Sequence, residues 1–569
     1  MKSLRVESFF LLLLALAIGP SALPVAAEEN PAFDTKATVV EGQIAPRLMN
    51  VGEHTYPITT SAPRAQLFFN QGLNLTYGFN HREAGRSYKE AARLDPDCAM
   101  CYWGQALVLG PNINAPMAPT DEALAHELLG KAMALGSKVT EKERALIEAL
   151  AARYSGNPEN RKARDHAYAD AMRKVHQRFP DDLDIATLFA ESLMDLRPWG
   201  YWTRDFKPYP ETVEVLRALE MVMERNPKHP GALHYYIHAV ELPQPQRAEA
   251  VADRLLPLAP AAGHLVHMPS HIYRRVGRYA DAARSNELAI AADEDYITQC
   301  RAQGIYPLAY YPHNVHFLWD ASTVEGRSAV AIENAEKAAR ITGEHLHEMA
   351  LLQTFAVVPL HAYVRFGQWE KILALPEPPA DQKFVTGMWH YARGLGFTAT
   401  GRLEEAAREL EKLSALVADK SLDEMRLFSN NTAGPVLRIA EQMLAGELAA
   451  KQGDYEKAIA HLHRGVLYED ALVYIEPPDW PQPVRQSLGA VLLEAGRPVE
   501  AEVVYWEDLK RNAENGWSLY GLVQALRAQG KDEEATAVEQ RFQKAWARAD
   551  ITLTSSRIMD ARKELASSR

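Results

Sequence analysis

The sequence predicts an all-α chain, a right-handed solenoid of stacked helix pairs. Ala, Leu and Glu dominate long stretches while β-branched alternation is scarce, which favours helix over strand. A pattern of small and large residues recurs with the period of one helix pair. A Gly-x-x-x-x-Ala motif also returns at the positions where paired helices would turn.

In chain order, Met1 to Ala27 reads as a secretory signal. Lys2 and Arg5 supply a basic start, Phe9 to Ile18 an apolar stretch, and Val25-Ala26-Ala27 a small-residue cleavage pattern. The stretch is short for a membrane span, so the expectation is an exported protein, periplasmic or secreted, without membrane insertion. Residues 28–63 show no repeat and are expected to be an extended lead-in. The array itself is expected over 64–550, on the order of ten units at about 34 residues each, with a tail at 551–569.

The repeat shows first in Ala65, Phe68, Gly72, Leu75, Ala84, Tyr88, Ala91 and Pro96. Small residues let two helices approach and large ones fill the space between them. The turn motif recurs at Gly277–Ala282, Gly401–Ala406, Gly453–Ala458, Gly496–Ala501 and Gly530–Ala535. Together these residues resemble the tetratricopeptide repeat (TPR) family. Proline-rich breaks fall at Gly110–Thr120, Pro198–Pro210 and Glu476–Pro483, where functional loops are expected. The phrases around YGFNHREAG, HYYIHAVE, HLVHMPSHIYRRVGRY and HNVHFLWDAS are similar to a family of exported bacterial TPR proteins. Tetratricopeptide repeat protein 38 is a eukaryotic relative of that family. The resemblance implies the fold and no particular activity.

The chain has 569 residues and a formal net charge of −12. An acidic array without a basic run argues against nucleic acid or anionic membrane as the main partner. Three cysteines cannot build a disulfide framework. Cys98 and Cys101 are read as a short-range disulfide or two buried thiols, and in the sharper reading as contributors to a metal site.

The most distinctive feature is a repeated histidine pair. His234 and His238 form one H-x-x-x-H, and His267 and His271 form another 33 residues further on. His316 and Asp320 repeat the four-residue step on a third segment, and residues four apart share a helix face. With units begun at Pro230, Gly263 and Pro312, the candidates are His234, His238, Glu241, His264, His267, His271, His313, His316 and Asp320. His361 falls in the same register of a further unit. The TPR resemblance implies that these first-helix positions face a concave groove. Neutral imidazole is the commonest transition-metal ligand, so the leading expectation is a periplasmic binding protein holding zinc, copper or iron, with Glu241 and Asp320 completing or orienting the site. Two nearby ions are also possible on a strip of this length. Two other classes stay open: a protein-interaction scaffold in which the strip reads a peptide or partner protein, and a metal-dependent enzyme. No catalytic residue is assigned. No phosphate loop, G-x-S-x-G elbow or H-E-x-x-H accompanies the strip.

Overall fold

A computed structural model describes residues 42–300, 302 and 306–560. The expected signal at 1–27 lies outside the described residues. Among them the chain is all-α, with isolated bridges such as Asn112 to Ala115 and Trp202 to Pro208 in the loops. No helix among the described residues is long and apolar enough to cross a membrane.

The array is carried by two compact units. One runs to Ile272 and includes Glu287–Pro307; the other comprises Tyr273–Asn286 and Leu308 onward.

In the first unit the expected opening pair is Pro63–Tyr77 and His81–Leu94. Proline at the first turn gives up an N–H that no helix start can use. Asn80 caps the second helix by accepting the Glu83 N–H. The pair packs through Tyr88, whose ring lies where a Cβ on Gly72 or Gly104 would come within 2.7 Å and 2.6 Å. Only glycine admits the ring at both places. The Pro63–Tyr77 helix then packs on the first helix of the next pair, Ala99–Leu109, which is how successive repeats stack. Before the first helix, residues 44–59 lie extended along it and are tied by hydrogen bonds. Leu48 N donates to Gln71 Oε1 at 2.9 Å and Thr59 N to Glu143 Oε1 at 2.6 Å.

The second unit repeats the same frame. Gly489 and Gly521 flank the Tyr505 ring as Gly72 and Gly104 flank Tyr88, with Cβ approaches of 2.4 Å and 2.2 Å. Its core gathers Trp319, Trp369, Trp480 and Trp517 with many alanines and leucines. First helices stack here too, Lys383–Ala399 on Ala433–Lys451 and Val484–Glu494 on Gly516–Arg527. All five turn glycines expected from the motif take positive φ, between 71° and 82°, a region that costs a side-chain-bearing residue energy. The tail at 551–560 closes this core, with Leu553 and Ile558 buried and Ser556 Oγ 2.7 Å from Tyr505 Oη.

Cys98 and Cys101 are joined in a disulfide at the start of the helix Ala99–Leu109. This is one of the two structural readings of the pair, and it leaves neither sulfur as a thiolate ligand.

Candidate metal centre

Two segments of the first unit bring five imidazoles together. The helix Pro230–Val240 starts on a proline and carries His234 and His238 one turn apart, with Glu241 as its C-cap. The second segment is expected to be one helix but is two, Gly263–His267 and Pro269–Arg275. Pro269 has no N–H to continue the ladder. The break leaves His264 and His267 on one piece and His271 on the other.

Ligand atoms of His234, His238 and His264 all lie within 4.8 Å of one another. Ring centroids are 4.9 Å apart for His234–His238 and for His234–His264. His267 and His271 continue the cluster, their rings 5.8 Å and 5.7 Å from His264 and His238 respectively. These six side chains, Glu241 included, are 0–3% exposed. The groove-facing expectation is corrected here: the histidines sit in the interior, because Phe79 and Trp199 cover them. Phe79 stacks near-parallel on His238 and His264, and Trp199 meets His238 edge-on at 5.0 Å. Both cover residues are held at positive φ, 55° and 62°, uncommon backbone for large side chains and frequent at functional sites.

The surroundings decide which ring nitrogen carries the proton. His234 Nδ1 lies 2.6 Å from the Tyr77 carbonyl oxygen, an acceptor only, so Nδ1–H donates. His238 Nδ1 faces Glu241 Oε1 at 3.4 Å, and His271 Nδ1 faces Glu241 Oε2 at 3.0 Å. A carboxylate accepts and cannot donate, so His238 too holds its proton on Nδ1, and the same nearby charge favours that tautomer in His271. Burial, and then the neighbouring His238, push the His234 pKa well below 6.5, so that ring is neutral and its Nε2 is a lone pair. Burial works against ionising Glu241, but His271 and His238 outweigh it and hold the carboxyl down to about 2. The result is a carboxylate behind two imidazoles, an arrangement that orients metal-binding histidines.

The remaining candidates lie in the second unit, on the helix Tyr311–Val324. Asp320 accepts from Arg274 Nε at 2.6 Å and Nη2 at 3.4 Å, so its charge is matched by a guanidinium rather than offered to a cation. His316 stacks on Trp319 at 5.1 Å and 11°, and burial lowers its pKa to about 3. His313 packs edge-on against Phe317 at 5.1 Å. His361, also lowered to about 3 by burial, lines a small cavity with His316, Trp319 and Asp479.

Sequence reasoning missed several participants. Tyr77 ends the first helix and Phe79 lies in the turn after it, and only the YGFN phrase hinted at them. Missed as well is a second cluster in the first unit, half-buried His54 with buried Asp184 and His229, again with ligand atoms within 4.8 Å. There His229 is the N-cap of Pro230–Val240, and its Nδ1 accepts the Ala232 N–H at 3.2 Å. With Nδ1 used as an acceptor, a neutral His229 carries its proton on Nε2, which points to Asp184 Oδ1 at 3.5 Å. His54 Nε2 and Tyr77 Oη reach the same oxygen, both at 2.7 Å. Burial opposes ionisation of Asp184, yet the hydrogen bonds from His229 and His54 hold its pKa below the usual carboxylate range. Asp184 thereby becomes a hydrogen-bond hub that ties His54 of the lead-in to Tyr77 of the first helix.

No family model matches the chain, and no curated relative matches it. Among solved structures, the human IFIT1 dimer with m7Gppp-AAAA aligns over 86% of this chain and 91% of its own, at 13% identity and TM-score 0.30. Yeast Tom70 aligns over 84% and 90%, at 11% identity and TM-score 0.28. The Cut9–Hcn1 hetero-tetramer of APC/C aligns over 84% and 76%, at 13% identity and TM-score 0.27. Likenesses this distant carry nothing about the histidine site.

Proposed function

We propose that this chain is an exported helical-repeat protein that binds a transition-metal ion on His234, His238 and His264. One observation carries the reading. Three buried imidazoles bring ligand atoms within 4.8 Å of one another, while acceptor-only oxygens of Tyr77 and Glu241 take the Nδ1 protons of two of them. Buried polar groups are normally satisfied. Yet His234 Nε2 has no hydrogen-bond partner among the described residues. A cation at that point supplies the partner without another proton.

Three nitrogen donors match the protein contribution to catalytic zinc sites, where the fourth position goes to water or substrate. Imidazole equally suits copper and non-haem iron. The site assigned here holds an ion, and no reaction is assigned to it. Export rests on the basic, apolar and small-residue leader of the sequence.

The test is metal analysis of the protein expressed without a histidine tag. At least one equivalent of zinc, copper or iron, with one equivalent fewer in His234→Gln/His264→Gln, is the expected result. Protein that neither carries metal nor takes it up from added Zn²⁺ sinks the reading.

A second reading, compatible with the first, is a protein-interaction scaffold. It is favoured by the helix Pro498–Arg511, where Val499, Val503 and Trp506 stand exposed at 62%, 58% and 38%. Their spacing puts them on one face. Val503→Glu should abolish partner capture without changing metal content.

A further inference from the structure

His267 and His271 stand beside the three-imidazole set and are not needed by it. Their Nε2 atoms are 3.0 Å apart, and two imidazole nitrogens that close share either a proton or a cation. The Glu241 carboxylate, 3.0 Å from His271 Nδ1, favours the tautomer with the proton on that atom. The His271 Nε2 is then a lone pair aimed at His267. His267 Nδ1 lies 3.4 Å from Ser270 Oγ, and a hydroxyl either donates or accepts. Ser270 thus lets the His267 proton sit on either nitrogen. With the proton on Nδ1, both Nε2 lone pairs face one point.

The distance constrains what fits there. At the usual metal–nitrogen length of about 2.0–2.1 Å, a 3.0 Å nitrogen pair subtends about 94° at the ion. That is the angle of neighbouring ligands in octahedral or tetragonal coordination, and a modest shift reaches the tetrahedral angle. Linear two-coordination needs about 4 Å between nitrogens and is excluded.

We propose that His267 and His271 hold a second transition-metal ion next to the one on His234, His238 and His264, with Glu241 as the carboxylate shared between the two positions. This rests on the first-ion reading of the site. Glu241 supports it directly, because one oxygen faces His238 Nδ1 and the other faces His271 Nδ1. A single buried charge thereby orients one ligand of each ion and offsets part of the positive charge that two cations bring into a dry interior. Without metal, His267 Nε2–H donates to His271 Nε2. Binding moves that proton to His267 Nδ1, where Ser270 Oγ accepts it, and no proton is lost from the ring.

Full-length protein without a tag, stripped with a chelator, is titrated with Zn²⁺, and tightly bound ions are counted by mass spectrometry after desalting. Two equivalents are expected in the wild type. One should remain in His267→Gln/His271→Gln, and one in His234→Gln/His264→Gln. Circular dichroism checks that each variant is folded. If a double variant does not fold, His267→Gln alone should weaken the second equivalent at least 10-fold. Copper(II) at two equivalents should give a spin-coupled electron paramagnetic resonance signal that is missing at one. A single equivalent that survives His267→Gln/His271→Gln and disappears in His234→Gln/His264→Gln overturns the second ion and keeps the first. Two equivalents surviving His267→Gln/His271→Gln also overturn it, and none in the wild type overturns both readings.

Discussion

Two histidine clusters in the same unit have similar spacing and opposite chemistry. His234, His238 and His264 bring ligand atoms within 4.8 Å, and so do His54, Asp184 and His229. Near the first cluster the outer partners are oxygens that only accept, the Tyr77 carbonyl and the Glu241 carboxylate. They hold protons on Nδ1 and leave Nε2 as a donor to metal. In the second the outer partner is an amide N–H, from Ala232. It uses up the His229 Nδ1 lone pair and leaves Nε2–H, a group that no cation can use. Proximity therefore does not make a metal site. The partner of the far nitrogen does.

The largest effect that separates the clusters is on metal itself. His234→Gln/His264→Gln should weaken Zn²⁺ binding by more than about 100-fold, since it removes ligands rather than their supports, while His54→Gln should leave it unchanged. Isothermal titration reads both, and equal losses would collapse the distinction. Next, Asp184→Asn should cost about 2 kcal/mol of stability in urea unfolding, because it disturbs a buried charged hydrogen-bond hub. Its metal content should equal that of the wild type. Glu241→Gln is a subtler change at the first cluster: affinity should drop about 10-fold or more with the equivalents preserved, because only ligand orientation is lost.

A separate prediction tests burial away from both clusters. His81 is lowered to about 4 and His361 to about 3, each mainly by burial. Both folded values lie below the unfolded value of 6.5, so as pH falls below 6.5 the unfolded chain takes up protons that the folded chain refuses. Stability should then decline from pH 6.5 downward by at most about 1.4 kcal/mol per pH unit for each group, levelling near the folded values. His361→Phe should flatten the urea-midpoint profile between pH 6.5 and 4, and an unchanged slope would remove His361 from this account.

Much of the architecture was legible from residue type and spacing. Gly277, Gly401, Gly453, Gly496 and Gly530 marked turns because positive φ is open to glycine at little cost, and each has it. Tyr88 with Gly72 showed the helix pair because a ring needs a missing Cβ to pack against. The histidine period also put His234 and His238 on one helix face. Three things were not legible. Pro269 splits the expected second histidine helix, although its ring alone was a warning. Asp320, in step with the histidines, is paired with Arg274 across the fold of its own unit, and spacing does not register a partner 46 residues away. Phe79 and Trp199 turn an expected open groove into an interior.

Local chemistry in the chain was enough to determine helices, turns and which side chains share a face, because these depend on contacts within a few residues. For some histidines the partner arrived only when the fold brought distant groups to the ring: Tyr77 to His234 across 157 residues, and Asp184 to His54 across 130. A periodic sequence can place imidazoles in a row. Whether they bind a cation or a carboxylate depends on long-range partners in a buried environment, where an unmatched lone pair or proton is costly.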